Sequence, residues 1–170
     1  MNTPTHHEHK DHAPSSIGCM VITCSDTRTP ETDTSGQLIQ KLLKEQGHTV
    51  VGYRVAKDEP AQIQLWIARG TASEEVRAII INGGTGISRR DSTFEAVDEM
   101  LEKRLAGFGE IFRLLTYQDI GSPAIMTRAT AGIVKGRALF SIPGSENAVR
   151  LAMEKLILPE LGHLVKELSK

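Results

Sequence analysis

Aromatic side chains are scarce in this 170-residue chain, which has one tryptophan, two tyrosines and four phenylalanines. Platforms on which bases could stack are therefore hard to build. An excess of either charge is also lacking: 20 lysines and arginines against 21 acidic residues leave a formal net charge of -1. Neither a nucleic acid nor an anionic membrane has an electrostatic claim to be the main partner. There is no apolar run of about 18 residues that could span a bilayer. The N-terminal segment lacks the apolar core of a signal peptide, so the expectation is a cytoplasmic protein. The two cysteines, Cys19 and Cys24, stand five apart on one predicted strand and so face opposite ways. That spacing argues against a disulfide between them, and two cysteines without further ligands make no structural zinc site. Both read as small buried apolar residues. Two nucleotide signatures are also missing: there is no Walker A sequence, and no G-x-G-x-x-G follows the first strand.

The length fits one domain, long enough to bury roughly 70% of its unfolded surface. Residues 1–16 are polar and carry His6, His7, His9 and His12. Such a tract can bind metal, but the stronger expectation is a disordered tail ahead of a single α/β domain over residues 17–170. Cys19 to Thr23 reads as a buried strand. Thr34 and Gln37 form a capping box that opens a helix with Leu38, Ile39, Leu42 and Leu43 inside, and Gly47 ends it. A second strand is predicted over Thr49 to Val55, and Pro60 then starts a helix. Ala78-Ile79-Ile80-Ile81 is apolar at every position, as in a central parallel strand covered on both faces. Ser92 and Glu95 form another capping box, with a helix expected to about Lys103. Phe108 to Ile120 reads as a further helix. Lys135-Gly136 separates two short apolar runs as a hairpin turn. A last helix or helix pair is expected to break at Pro159. The alternation predicts a three-layer αβα sandwich with a mostly parallel sheet and a late β-hairpin.

Three turns lead from an apolar strand into a helix: Asp33-Thr34-Ser35-Gly36, Asn82-Gly83-Gly84-Thr85-Gly86 and Pro143-Gly144-Ser145. In open α/β sheets ligands bind beyond the carboxyl ends of the strands. Turns there aim backbone N–H groups and helix dipoles at one space, which predicts a polyanionic ligand, most simply one with phosphates. Ser35, Gly36, Gly83, Gly84, Thr85, Gly86, Pro143, Gly144 and Ser145 are thus the candidate phosphate-binding residues, with Ser25 and Asp26 on the same rim.

Asp58 ends the second strand on that edge, and Asp91 lies just past the glycine turn. Two carboxylates beside phosphates repel the ligand unless a cation lies between them, and Mg²⁺ suits that place. Metal-assisted phosphoryl or nucleotidyl transfer follows, a chemistry that needs positioning and charge neutralisation rather than a protein nucleophile. No Ser, His and acid pattern argues for acyl transfer. Plainer roles are open to the same residues. Asp91 could simply favour the dipole at the start of the Ser92 helix, worth about 0.3–1 kcal/mol. Asp58, Arg89 and Arg90 could be solvated loop residues, and Gly144 and Ser145 only a helix start. The glycine turn is harder to discount, because three glycines within four residues cost conformational entropy that a plain connection avoids.

The ordered set Ile22-Thr23-Cys24-Ser25-Asp26-Thr27, Asp33-Thr34-Ser35-Gly36, Asn82 to Gly86 and Arg90-Asp91-Ser92-Thr93 resembles the MoaB/MogA family of molybdenum cofactor biosynthesis. Gly107-Phe108-Gly109-Glu110, Phe112-Arg113 and Pro143-Gly144-Ser145 extend the likeness over nearly the whole chain after Ile17. The tracts Ser141 to Ser145 and Leu156 to Leu161 are more similar to the MoaB branch. The resemblance implies a molybdopterin adenylyltransferase, with molybdopterin as substrate, ATP as co-substrate and Mg²⁺ as cofactor. It maps the family's two catalytic aspartates onto Asp58 and Asp91, and its substrate loops onto the glycine turn and Pro143-Gly144-Ser145. It further implies a homotrimer, with a hexamer possible in the MoaB branch. Some MoaB members with a doubtful adenylylating role lack the first aspartate, whereas this chain retains it. Asn82, where many members carry threonine, is expected to matter little. A non-catalytic molybdopterin carrier and an assembly protein with a decayed site are the competing readings.

Overall fold

A computed structural model describes residues 14–170, so the expectation for the His-rich tail falls, apart from residues 14–16, outside the described residues. The elements run β1 (Gly18–Cys24), α1 (Thr34–Glu45), β2 (Thr49–Ala56), α2 (Pro60–Ala72), β3 (Ala78–Asn82), α3 (Thr93–Asp98), β4 (Lys103–Arg104), α4 (Ala106–Ile120), β5 (Thr130–Val134), β6 (Arg137–Ile142), α5 (Glu146–Ala152) and α6 (Leu158–Glu167). A 3₁₀ segment (Ser122–Met126) follows α4, and a π-helical turn (Met153–Ile157) joins α5 to α6.

The strands form one six-stranded sheet in the order β2-β1-β3-β6-β5-β4. β2, β1, β3 and β6 are parallel, and β5 and β4 complete the sheet antiparallel. Thr23 pairs with both Val55 and Asn82, and Asn82 pairs with Ile142. Four carboxyl ends are thereby level along one edge. The hairpin between β5 and β6 turns at Lys135 and Gly136, both with positive φ (45° and 71°). This pair of left-handed residues gives the twist a two-residue hairpin needs.

Apolar cores on both sheet faces make the three layers. On one face Cys19, Val21 and Ile80 pack with α1 (Ile39, Leu43), α4 (Phe112), α5 (Val149) and α6 (Leu161). On the other, Ile22, Cys24, Ile79 and Ile81 pack with α2 (Ile63, Ile67) and α3 (Val97). Ile79, Ile80 and Ile81 are fully buried, and each such side chain contributes about 2 kcal/mol. The two cysteines fall in different cores, as their spacing predicts, and burial pushes both thiols up to about 12.

Several helix ends differ from the expected ones. Asp33, not Thr34, caps α1, its carboxylate accepting from the Gly36 N–H at 3.0 Å. Ser92 makes no side-chain cap, and α3 ends at Asp98 rather than near Lys103. A π turn takes the place of the expected break at Pro159. Proline has no N–H and clashes with the carbonyl four residues back, and a widened turn relieves both conflicts.

Candidate functional site

Beyond the four level strand ends lies an open cavity of about 540 Å³. The loops after β1, β3 and β6 wall it, together with the segment that leads into β5. Among the residues singled out from sequence, Ser25, Gly83, Gly84, Thr85, Gly86, Asp91, Pro143, Gly144 and Ser145 line it.

Its floor is the glycine turn. Gly83 and Gly84 have φ of +94° and +63°, values that strain any L side chain. A Cβ on Gly83 would overlap the Cys24 carbonyl, and one on Gly84 would overlap Asp58 and Thr93. The carbonyls behind the turn are engaged: Gly84 accepts from the Thr93 N–H at 3.0 Å, and Thr85 and Gly86 both accept from Arg128. Among the described residues, by contrast, the N–H groups of Gly84, Thr85 and Gly86 reach no protein acceptor. Successive free amides of this kind form an anion-binding nest.

The adjoining wall is the loop Pro143-Gly144-Ser145. Gly83 donates to the Ile142 carbonyl at 3.0 Å, and a Cβ on Gly144 would come within 3.1 Å of Gly83 Cα, so the two loops are in close contact. Ser145 caps α5, its Oγ accepting from the Ala148 N–H at 3.3 Å.

Ser35 and Gly36 do not line the cavity. The Ser35 hydroxyl donates to the Gly144 carbonyl, and the Gly36 amide is spent on Asp33. Both belong to a buried network centred on Asp33. Tyr53 Oη donates to Asp33 Oδ2 at 2.6 Å, Arg28 reaches Oδ1 at 3.3 Å, and Thr23 adds a further hydrogen bond. Burial pushes the Asp33 carboxyl up, but the donors from Thr23, Tyr53, Gly36 and Arg28 outweigh it and hold the group below the ordinary carboxylate range. Burial and the adjacent Asp33 drive the Tyr53 phenol upward.

The two aspartates take different places. Asp91 lines the cavity; its Oδ2 accepts from the Ser88 N–H at 3.1 Å and the Ser88 hydroxyl at 2.6 Å. Asp58 is buried and stands behind Gly84, outside the cavity lining. Its Oδ1 accepts from the Ser92 N–H at 3.1 Å, the Ser92 hydroxyl at 2.9 Å and the Thr93 hydroxyl at 3.3 Å. The acid that serves the start of α3 is therefore Asp58, where the sequence pointed to Asp91. Asp26 joins three loops outside the cavity: its carboxylate accepts from the Asp58 N–H at 3.2 Å and from Arg90 Nε at 2.6 Å. The Arg90 guanidinium holds the Asp26 carboxyl below its usual range.

Thr23, Cys24 and Asn82, quoted in the motifs but not as site residues, also line the cavity, as do Arg28, Met126 and Thr127, which were not singled out. Arg28 matters most, being the one cation among these lining residues. Its position, two residues past Asp26 on an already marked loop, was the available signal. Met126 and Thr127 carry no motif and arrive only through the β5 connection.

A family model described as a probable molybdopterin binding domain matches residues 20–163. The chain belongs to that family. The molybdenum cofactor biosynthesis protein B of Bacillus subtilis (strain 168) is 53% identical over 164 residues, covering 96% of each chain. That of Halalkalibacterium halodurans is 52% identical over 164 residues, again 96% of each. A crystal structure of a molybdenum cofactor biosynthesis protein B superposes with a TM-score of 0.90 at 52% identity, covering 92% of this chain and 98% of that one. The tungsten cofactor synthesizing protein MoaB from Pyrococcus furiosus gives 0.83 at 35% identity, covering 93% and 100%. Mog protein from Mycobacterium ulcerans, at 23% identity and a TM-score of 0.81, shares the fold. The chain is thus a MoaB/MogA family member on the MoaB side.

Proposed function

We propose that the protein acts in molybdenum cofactor biosynthesis by transferring AMP from ATP to molybdopterin. A phosphate oxygen of molybdopterin attacks the α-phosphorus of ATP; a new O–P bond forms, the bond to the β-phosphate breaks, and pyrophosphate leaves with the electron pair. The observation that carries this reading is the row of unspent amides at Gly84, Thr85 and Gly86 facing a cavity that also holds Arg28. Preorganised donors aimed at phosphate oxygens stabilise developing charge without reorganising during the reaction. The Pro143-Gly144-Ser145 loop adjoins the turn and lines the same cavity.

Asp58 and Asp91 are the candidate Mg²⁺ ligands. Among the described residues no group of three or more His, Cys, Asp or Glu stands ready for a metal, but a phosphate-bound Mg²⁺ takes only one or two carboxylates. Asp91 supports this, since it lines the cavity and its Oδ1 has no protein donor among the described residues; Asp58 Oδ2 also has none, but it lies behind Gly84 and would reach the ion only past that turn. When bound, Mg²⁺ supplies charge neutralisation on the phosphates.

The active form in this reading is a cytoplasmic homotrimer or a hexamer built from it. Its support is an exposed apolar strip on α4 and the 3₁₀ segment, including Leu114, Tyr117, Ile120 and Ile125, the last 86% exposed. Among the described residues no helix is long and apolar enough to cross a membrane.

Incubation with molybdopterin and Mg-ATP is expected to give adenylyl-molybdopterin and one pyrophosphate, with Asp91→Asn and Asp58→Asn folded but inactive. Molybdopterin binding without adduct would instead favour the carrier reading, to which the burial of Asp58 and its service to α3 lend some weight.

A further inference from the structure

The shape of the glycine turn depends on a residue outside the cavity. Arg128 lies just ahead of β5 with its side chain 25% exposed. Its Nε donates to the Thr85 carbonyl at 3.0 Å, and its Nη2 donates to the Gly86 carbonyl. The same guanidinium pairs with the Glu95 carboxylate and lies over the Phe94 ring, 5.0 Å from its centroid. Glu95 is held below the ordinary carboxylate range by this partner.

A trans peptide unit points its C=O and N–H in opposite directions. Drawing the Thr85 and Gly86 carbonyls toward Arg128 therefore turns the N–H groups of Gly86 and Ile87 the other way. The Thr93 N–H does the same for the next unit back, taking the Gly84 carbonyl and turning the Thr85 N–H. Two of the three unspent amides, those of Thr85 and Gly86, are thus aimed by bonds made behind them. Only a guanidinium has the forked donors to hold two carbonyls and a carboxylate together; a lysine ammonium could supply the charge but not the fork.

We infer that Arg128 is the positioning residue that presets the glycine turn to receive a polyphosphate. This rests on the reading of the cavity as the phosphate site. Glu95 balances the charge of Arg128, so its contribution to the ligand is geometry. Without it the turn must be ordered at the moment of binding, which weakens affinity.

The test uses the full chain and inorganic pyrophosphate or Mg-ATP as calorimetric probes. Arg128→Ala and Arg128→Lys are both expected to bind at least roughly tenfold more weakly, since small misplacements at such sites cost up to about 10²-fold. Failure of the lysine variant, which keeps the charge, separates geometry from electrostatics. Millimolar guanidinium, against an equal concentration of sodium chloride, should restore binding to Arg128→Ala; a merely structural brace predicts no such rescue. Folded variants that bind as the wild type does would overturn the inference. A wild type that binds neither probe would overturn it together with the phosphate site. A wild type that binds Mg-ATP but forms no adduct would sink the adenylyltransferase reading and leave this inference intact. Should both arginine variants fail to fold, Phe94→Leu removes the platform under the guanidinium, and there too weaker pyrophosphate binding is expected and unchanged binding is fatal.

Discussion

The Ser35 hydroxyl donates to the Gly144 carbonyl at 2.6 Å, tying the first turn of α1 to the loop after β6 across 109 residues of chain. Ser35 is itself fully buried and accepts from Arg28 at 3.1 Å, so the tie extends to the cation on the cavity wall. The start of α1 and the loop after β6 are therefore joined directly.

Ser35→Ala removes that bond and leaves the Gly144 carbonyl without its donor. A loss of about 1 kcal/mol in stability is expected, together with roughly fivefold weaker binding of Mg-ATP if the loop loosens by a similar free energy. Thermal unfolding and calorimetric titration on the same sample check both. Unchanged affinity at reduced stability would mean that the tie serves the fold alone.

Arg28 is the cation among the residues that line the cavity, and charge-assisted hydrogen bonds to phosphate are worth about 1.5–3 kcal/mol. Arg28→Gln should weaken Mg-ATP binding by about tenfold or more and flatten its dependence on salt. Folding should survive, because Asp33 keeps its donors from Tyr53, Thr23 and Gly36. Equal affinities for wild type and variant, measured at low and high salt, would exclude a phosphate contact.

Much of this was legible from the chain. The apolar run Ala78 to Ile81 announced a central parallel strand, and Lys135-Gly136 announced the hairpin, because strand burial and turn chemistry are local signals. The glycine turn and Pro143-Gly144-Ser145 stood out because each directly follows a strand, and for the same reason both line the cavity at the strand ends. What stayed hidden depends on contacts distant in sequence. Nothing near Ser35 says that its hydroxyl is spent on Gly144, and nothing near Asp58 says that Ser92 and Thr93 will occupy one of its oxygens. Arg128 was missed for the same reason: it reaches back 42 and 43 residues to the carbonyls it holds.

Gly84→Ala tests the demand for glycine at the floor of the cavity. The backbone there has φ of +63°, and an added methyl would overlap both the Asp58 carboxylate and the Thr93 hydroxyl. A loss of about 2 kcal/mol or more is expected from strain and displacement together, with ligand binding abolished. Gly107→Ala is the matched control, since its Cβ meets nothing within 4 Å in helix α4; it should be neutral or stabilising by up to about 1 kcal/mol. Denaturant unfolding of the two variants side by side distinguishes a special turn from a general intolerance of alanine.

Asp33 makes the stability depend on acid in a definite direction. Its carboxyl is held below the ordinary value of about 3.9, so the folded state favours the charged form. That contribution is fully present above pH ~4 and is lost as pH falls through the lower folded value. Asp33→Asn keeps the size but loses the charge that Tyr53, Thr23 and Arg28 address. At pH 7 it should be less stable than wild type by about 2 kcal/mol, and the gap should close as the pH falls through the lowered folded value. Asp26, Glu95 and Asp98 are also depressed, by Arg90, Arg128 and Arg104 respectively, but they are common to both proteins and cancel in the difference. Urea unfolding across that range reads the gap directly; a difference that stays constant with pH would show that the buried network does not depend on the ionised carboxylate.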